Sequence, residues 1–373
     1  MNKLIRLSKS VIGKEEILAV SKVLQNGFLG MGKEVYKFEN ELNLFFNSHS
    51  VCVNSGTAAI QLALQAVGLK KGDEVLVQSL TYLATFQAIS ALGAIPIACE
   101  INEESFTIDL NDAKNKLSNK TKVILPVHFG SNPGNLDEIY DFAKTHKLRI
   151  VEDAAHAFGS KYNNEMIGSI GDVICFSFDG IKNITSGEGG AVVSRNSEVI
   201  DLVKDIRLLG VENDSIKRYK NKRSWDFDVK NQGWRYHMSD IMASIGRVQL
   251  NKFSNFKIKR QKLALEYFKK LNNVNNIKLL NFDYKNIVPH IFVIRITNGH
   301  RDFIRNKLLN IGIQTGLHYK PNHLLSYYKS VHKLPFTEKI YNQILTLPLH
   351  PDLTIADIDF ITTKLKLILS KRS

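Results

Sequence analysis

A lysine, an aspartate, a Ser-Gly-Thr turn and a tyrosine carry the chemistry available to this sequence. Lys182 follows an apolar run ending near Ser177 and precedes a glycine-rich turn, in the stretch Phe176-Ser-Phe-Asp-Gly-Ile-Lys-Asn-Ile-Thr-Ser-Gly-Glu-Gly-Gly190. A lysine among apolar and small neighbours at the mouth of a sheet loses its proton readily, because desolvation disfavours the ammonium. The neutral amine condenses with an aldehyde to a Schiff base. Ser177, at the strand end, is placed to donate a hydrogen bond to a phosphate. An ordinary lysine on a surface turn has the same spacing, so this segment alone leaves both readings open. A second apolar run ends at an acidic pair in Val151-Glu-Asp-Ala-Ala-His-Ala-Phe-Gly159. A carboxylate at the carboxyl end of a parallel strand lies in the crevice where such sheets bind ligands. Against a pyridine ring, Asp153 keeps the ring nitrogen protonated and the ring an electron sink; otherwise it caps a helix. His156 either packs near that ring's oxygen or fills a turn. In Asn54-Ser-Gly-Thr57 a strand passes into a helix whose free N–H groups suit a phosphate, Gly56 and Thr57 leading; these residues are equally good capping chemistry. Tyr82, just after residues 74–78, is a stacking ring for a flat cofactor or a core tyrosine. Together the segments assemble a phosphate cradle, a ring, a carboxylate and an amine, each at a strand's carboxyl end.

Such placement requires strands and helices in alternation. From about residue 50, short apolar runs alternate with helical patterns as far as the runs at 148–153, 173–178 and 190–194. The expectation is an α/β fold with a largely parallel sheet covered on both faces. Residues 14–25 place Ile17, Leu18, Val20, Val23 and Leu24 on a helical period, with Gly27 as a stop. Asn135, with Glu138 three residues on, opens another helix as a capping box whose Leu136, Ile139 and Phe142 share one face. A Lys-rich helix is expected over roughly 248–271, then a strand at 290–297, a helix at 301–312 and a last helix within 355–370. The expected domains are 1–250, an N-terminal arm and large domain, and 251–373, a smaller C-terminal α/β domain. Neither a GxGxxG fingerprint nor a Walker-type phosphate loop is present.

The chain of 373 residues, 44% hydrophobic and 23% charged, has the composition of a globular protein with a sizeable core. Its formal charge is +14, and residues 201–270 hold 17 Lys or Arg against 8 Asp or Glu. That excess fits a nucleic-acid footprint, a basic surface beside a site for small anions, or a solvated helix face. No helix-turn-helix or RNA-binding signature accompanies it, so nucleic acid is not the expected partner. Cys52, Cys99 and Cys175 sit among apolar neighbours, none in a CxxC pair, and read as buried thiols rather than a disulfide or metal framework. No stretch approaches a membrane span, and charges interrupt the first twenty residues, so a cytoplasmic location is expected.

The motif around Lys182 resembles that of the DegT/StrS family of sugar aminotransferases, approximately SFxxxKxxxxGEGG, which Ser177 through Gly190 fit. The resemblance runs along nearly the whole chain. It implies a fold-type I pyridoxal-phosphate enzyme in which Lys182 carries the cofactor as a Schiff base and shuttles the proton. Asp153 then partners the pyridine nitrogen, Tyr82 stacks, and Gly56, Thr57 and Ser177 bind the phosphate; His156 approaches the ring hydroxyl, where the family often has Gln. Gly233 through Asp240 resembles a segment crossing a dimer interface, with His237 reaching the partner's cofactor. His318 and Tyr319 resemble a substrate-side loop, and Arg218 belongs to a basic stretch able to meet a pyrophosphate. The implied reaction uses L-glutamate to aminate a nucleotide-linked keto-(6-deoxy)hexose for surface polysaccharide or glycan precursors. Pyridoxamine 5′-phosphate is its intermediate form, in a homodimer with shared active sites and no metal. Relatives that remove a sugar hydroxyl carry His where this chain has Lys182. A dehydratase or eliminase on this scaffold is the alternative within the class, and a basic DNA-binding regulator the alternative outside it.

Overall fold

The computed structural model describes residues 4–223, 225–329 and 333–370. The N-terminal helices α1 (Lys14–Asn26) and α2 (Lys33–Phe46) precede β1 (His49–Val53) and α3 (Gly56–Ala66). The alternation continues through β2 (Glu74–Gln78), α4 (Leu83–Ser90), β3 (Ile95–Cys99), α5 (Leu110–Asn115), β4 (Thr121–Leu125), α6 (Leu136–Thr145) and β5 (Arg149–Asp153). A small hairpin, β6 (Lys161–Tyr162) and β7 (Glu165–Met166), precedes β8 (Val173–Ser177), β9 (Gly190–Ser194), α7 (Ser197–Ile206) and α8 (Asp214–Tyr219). Seven strands form one sheet in the order β1-β9-β8-β5-β4-β2-β3, in which β9 alone runs against its neighbours. The fold is therefore α/β with a mostly parallel central sheet.

Alternation along the strands explains why both faces are covered. Cys52, Leu76, Ile124, Ile150, Ile174 and Phe176 enter one core with α2 and α6. Their strand neighbours Val51, Val75, Val77, Val123, Val151 and Val173 enter the other with α3, α4 and α7. Side chains two apart share a face, so a strand apolar at every position must be buried on both sides. α1 ends at Gly27 with φ 72°, the left-handed cap that glycine adopts without strain. Asn135 caps α6 by accepting the Glu138 N–H at 3.4 Å. Cys52, Cys99 and Cys175 are buried and free.

The long helix differs from its expected span. α9 runs from Asp240 to Leu271, starting eight residues earlier because Ser239 caps it by accepting the Met242 N–H. At about 1.5 Å per residue it is some 48 Å long. Ala243 and Phe253 join the large-sheet core, whereas Leu263, Tyr267 and Leu271 join a third core, so residue 250 falls inside one continuous element. There follow β10 (Ile277–Leu279), β11 (Phe292–Ile296), α10 (Arg301–Asn310), α11 (Pro335–Gln343), β12 (Ile344–Leu347) and α12 (Ile355–Ser370), all of which but α11 complete that third core; α11 sends Ile340 into a smaller core with Leu80, Phe106 and Phe129. Strands β10-β11-β12 are antiparallel throughout. Ile5 of the N-terminal arm packs into the same core and pairs beside Ile313. Among the described residues no helix is long and apolar enough to cross a membrane.

Candidate active site

β1, β2, β5 and β8 point the same way, so the four segments singled out in the sequence emerge along one edge of the sheet. At the first, Ser55 caps α3 by accepting the Ala58 N–H at 3.1 Å. The N–H groups of Gly56 and Thr57 have no partner inside the helix and carry its positive dipole end. Gly56 is required by proximity: a Cβ there would meet the Ser177 Cβ at 2.8 Å. The α3 N-terminus is thus pressed against the end of β8, and Ser177 adds its hydroxyl to the same cradle.

Asp153 ends β5 and is buried. Its two oxygens accept from Thr85 Oγ1 at 2.8 Å and from the Ala155 N–H at 3.1 Å, which fixes the carboxylate plane. No helix starts there, so helix capping is not its role. Lys182 lies in the turn after β8, with its N–H donating to Asp179 O at 3.1 Å. Burial draws its ammonium down to about 8, while Asp153 and Asp179 pull the other way. The following residue stitches the turn in place: Asn183 Nδ2 donates to Val288 O at 2.9 Å and to Phe158 O at 3.2 Å.

A cavity of about 390 Å³ has Gly56, Thr57, Ser177, Asp153 and Lys182 in its wall, together with Tyr82, His156, His318 and Tyr319. Tyr82 is 61% exposed at its mouth, and its ring lies 5.5 Å from that of Tyr319. Burial, then the nearby Lys182 charge, lowers His318 to about 4, while its Nδ1 pairs with Thr346 Oγ1 at 2.8 Å. The cavity offers what a phosphorylated pyridine aldehyde needs: an N–H cradle, a carboxylate, a flat ring and an amine. A larger hollow, about 480 Å³, lies between residues 4–9 and 350–357. Its Lys9 is already paired with Asp352, and it lacks that set of groups.

Two sequence-predicted residues stand outside this cavity. Arg218 on α8 pairs its Nε with Asp214 at 2.8 Å. His237 bridges to Val53 and is half-buried, its imidazole lowered to about 4 by burial and then by Arg235. Thr85, Asn183, His290, Asn322 and His323 escaped the sequence reading. For Thr85 a signal existed, one helical turn after Thr81, whose hydroxyl it meets at 3.1 Å.

The chain matches the model of the DegT/DnrJ/EryC1/StrS aminotransferase family over residues 10–366. It is 33% identical to the spore coat polysaccharide biosynthesis protein SpsC of Bacillus subtilis, over 96% of this chain and 95% of that one. Its fold superposes with a TM-score of 0.91 on Helicobacter pylori PseC, an aminotransferase involved in pseudoaminic acid biosynthesis, at 25% identity over 99% and 100% of the two chains. Bacillus subtilis NtdA, solved with bound PMP, gives a TM-score of 0.86 at 28% identity over 96% and 83%. The chain belongs to the DegT/DnrJ/EryC1/StrS family: it is a fold-type I sugar aminotransferase that works with pyridoxal 5′-phosphate.

Proposed function

We propose that this aminotransferase moves the amino group of L-glutamate onto a keto-(6-deoxy)hexose carried by a nucleotide, for polysaccharide or glycan precursors, with Lys182 as the cofactor-bearing amine. The carrying observation is that Lys182, Asp153 and the α3 N-terminus line one cavity. When bound, pyridoxal phosphate supplies an electron sink for the carbanion formed at the donor's α-carbon. Asp153, oriented by Thr85 and Ala155, holds the proton on the pyridine nitrogen. The Gly56 and Thr57 N–H groups and the Ser177 hydroxyl fix the phosphate. Tyr82, exposed at the cavity mouth, would be the aromatic ring available to stack on the cofactor. With the cofactor bound, the Lys182 amine would be the base placed to take up and return the proton that leaves the donor's α-carbon. His156, in the loop after β5, and His318 and Tyr319, from the C-terminal part of the chain, line the rest of the same cavity.

A second copy of the chain completes the site in this reading. Leu209, Ile216, Trp225, Phe227 and Val229 are exposed apolar side chains within one stretch that also carries Arg218, with His237 close behind. A homodimer buries them and lets His237 approach the neighbour's phosphate cradle. Arg218 and the lysines around it then meet the sugar-nucleotide's pyrophosphate.

Purified protein loaded with pyridoxal phosphate should show a visible Schiff-base band that borohydride bleaches. Lys182→Ala should abolish it, and glutamate alone should convert wild type to the pyridoxamine form with one equivalent of 2-oxoglutarate. A band unchanged in Lys182→Ala would place the cofactor elsewhere; loss of a sugar hydroxyl with no amino group gained by the sugar would indicate elimination instead.

A further inference from the structure

Both ring nitrogens of His156 are already taken, which bears on how the cavity addresses an oxygen. The Gly130 N–H donates to Nδ1 at 3.4 Å, and Nε2 lies 2.9 Å from the Tyr319 hydroxyl. A backbone N–H can only donate, so Nδ1 is the acceptor nitrogen of a neutral imidazole and the proton sits on Nε2. Burial, then the neighbouring Lys182, His318 and His128, holds His156 well below its ordinary value, consistent with that neutral ring. Nε2–H therefore donates to the Tyr319 oxygen. A phenol that accepts from His156 keeps its own O–H to give, and the ring belongs to the cavity wall that Lys182 shares. Among the described residues that hydroxyl has no other hydrogen-bond partner. Burial pushes the Tyr319 phenol up, so it stays protonated and serves as a donor.

The loop carrying Tyr319 is held from behind. Asn322, fully buried, donates from Nδ2 to Thr81 O at 2.9 Å and to Ser79 O at 3.2 Å, and from its backbone to Ser79 O at 2.9 Å. His323 Nδ1 meets Ser79 Oγ at 2.7 Å. His290 packs on the far side of His156, ring centroids 4.5 Å apart. The imidazole and the phenol are thereby fixed relative to each other.

We propose that Tyr319 donates a hydrogen bond to an oxygen of the molecule bound over Lys182, with His156 as the positioning residue that orients it. The acceptor is an anionic or carbonyl oxygen: the cofactor's ring oxygen or the keto oxygen of a substrate. The inference rests on the cofactor reading above, and a wild-type protein without the visible band would sink that reading rather than this one.

The test uses the full-length holoenzyme, wild type and Tyr319→Phe. Donation to the ring oxygen predicts a displaced visible band and roughly tenfold weaker pyridoxal-phosphate binding in Tyr319→Phe. Donation to a keto oxygen predicts an unchanged band and affinity, with the pyridoxamine form reacting at least about tenfold more slowly with 2-oxoglutarate. His156→Phe should reproduce whichever change appears, and the double variant should add little to it. His156→Gln, which keeps an N–H donor at similar reach, should restore most of the wild-type signal. A Tyr319→Phe protein with unaltered band, affinity and 2-oxoglutarate rate would overturn the proposal, as would fully additive effects of the two substitutions.

Discussion

The two walls of the cavity are built on different principles. The sheet wall takes Gly56, Asp153, Ser177 and Lys182 from the ends of strands whose direction and alternation are set by seven-strand pairing. The opposite wall takes His318 and Tyr319 from the segment between α10 and α11, which is held by side chains: Asn322 and His323 on residues 79–81, and His318 on Thr346. A strand end is fixed by a ladder of backbone bonds and two hydrophobic cores; the loop is fixed by a handful of polar contacts. The sheet wall can therefore carry invariant chemistry, while the loop wall can be retuned for the molecule being handled without disturbing the core.

Disabling the sheet wall should give the largest effects. Lys182→Ala should lower transamination by about 10³-fold or more, since nucleophile and proton shuttle go together; a single-turnover assay with glutamate measures it. Asp153→Asn keeps the shape and the Thr85 contact but not the charge, and should cost roughly 10²-fold in the glutamate half-reaction. Titration sharpens the contrast. With Lys182 drawn down to about 8, cofactor uptake by the free protein should speed up as pH rises through that value and then level off. The stability sign is opposite to that of a paired lysine. The unfolded chain binds the extra proton between about 8 and the ordinary 10.5, so the cofactor-free fold gains stability with rising pH across that window. Below it the cost of housing the charged amine is complete. Lys182→Met should therefore be more stable than cofactor-free wild type at pH 7, the gap closing toward pH 10.5; a constant gap in thermal melts would contradict it.

Breaking the loop wall should act on a smaller scale and on a different quantity. Asn322→Ala removes bonds to two buried carbonyls and should destabilise by about 2–3 kcal/mol. The visible band should persist, with KM for the keto substrate raised more than kcat is lowered. Equal losses in both walls' readouts would mean that the walls are one mechanical unit.

The same contrast explains what could be read in the sequence. The runs at 74–78, 149–153 and 173–177 are buried at nearly every position, on both faces, so the strands, a largely parallel sheet and the residues at the strand ends are legible in the sequence. Lys182 and Asp153 follow from that. Asn183, Thr85 and His290 act through contacts with residues far along the chain or one helical turn away, and their local text is unremarkable polar filler. The early start of α9 is hard to read because its first two turns carry Ser244 and Gly246, weak helix formers; Gly246 is pressed against Phe38 of α2, where tertiary packing overrides propensity. The helix α11 escaped for a related reason. Its first turn is fixed by Glu100, which accepts the Phe336 and Thr337 N–H groups from the end of another strand.

Glu338 offers the finest division within the loop wall. Its Oε1 lies 3.3 Å from His323 Nε2, continuing the chain from Ser79 through His323 to α11. The geometry invites the view that a charge holds the loop. Exposure argues otherwise: the Glu338 side chain is 40% exposed, and an ion pair in water contributes about 0–1 kcal/mol. The bonds made by Asn322 are fully buried, where an abandoned carbonyl has no water to turn to. Glu338→Gln keeps an acceptor for His323 and should change stability by less than about 1 kcal/mol, leaving KM within about twofold. Denaturant melts of Glu338→Gln beside Asn322→Ala decide the matter. If the glutamine variant falls as far as the alanine variant, the loop is held by electrostatics at its rim, and the backbone clamp at residues 79–81 is secondary.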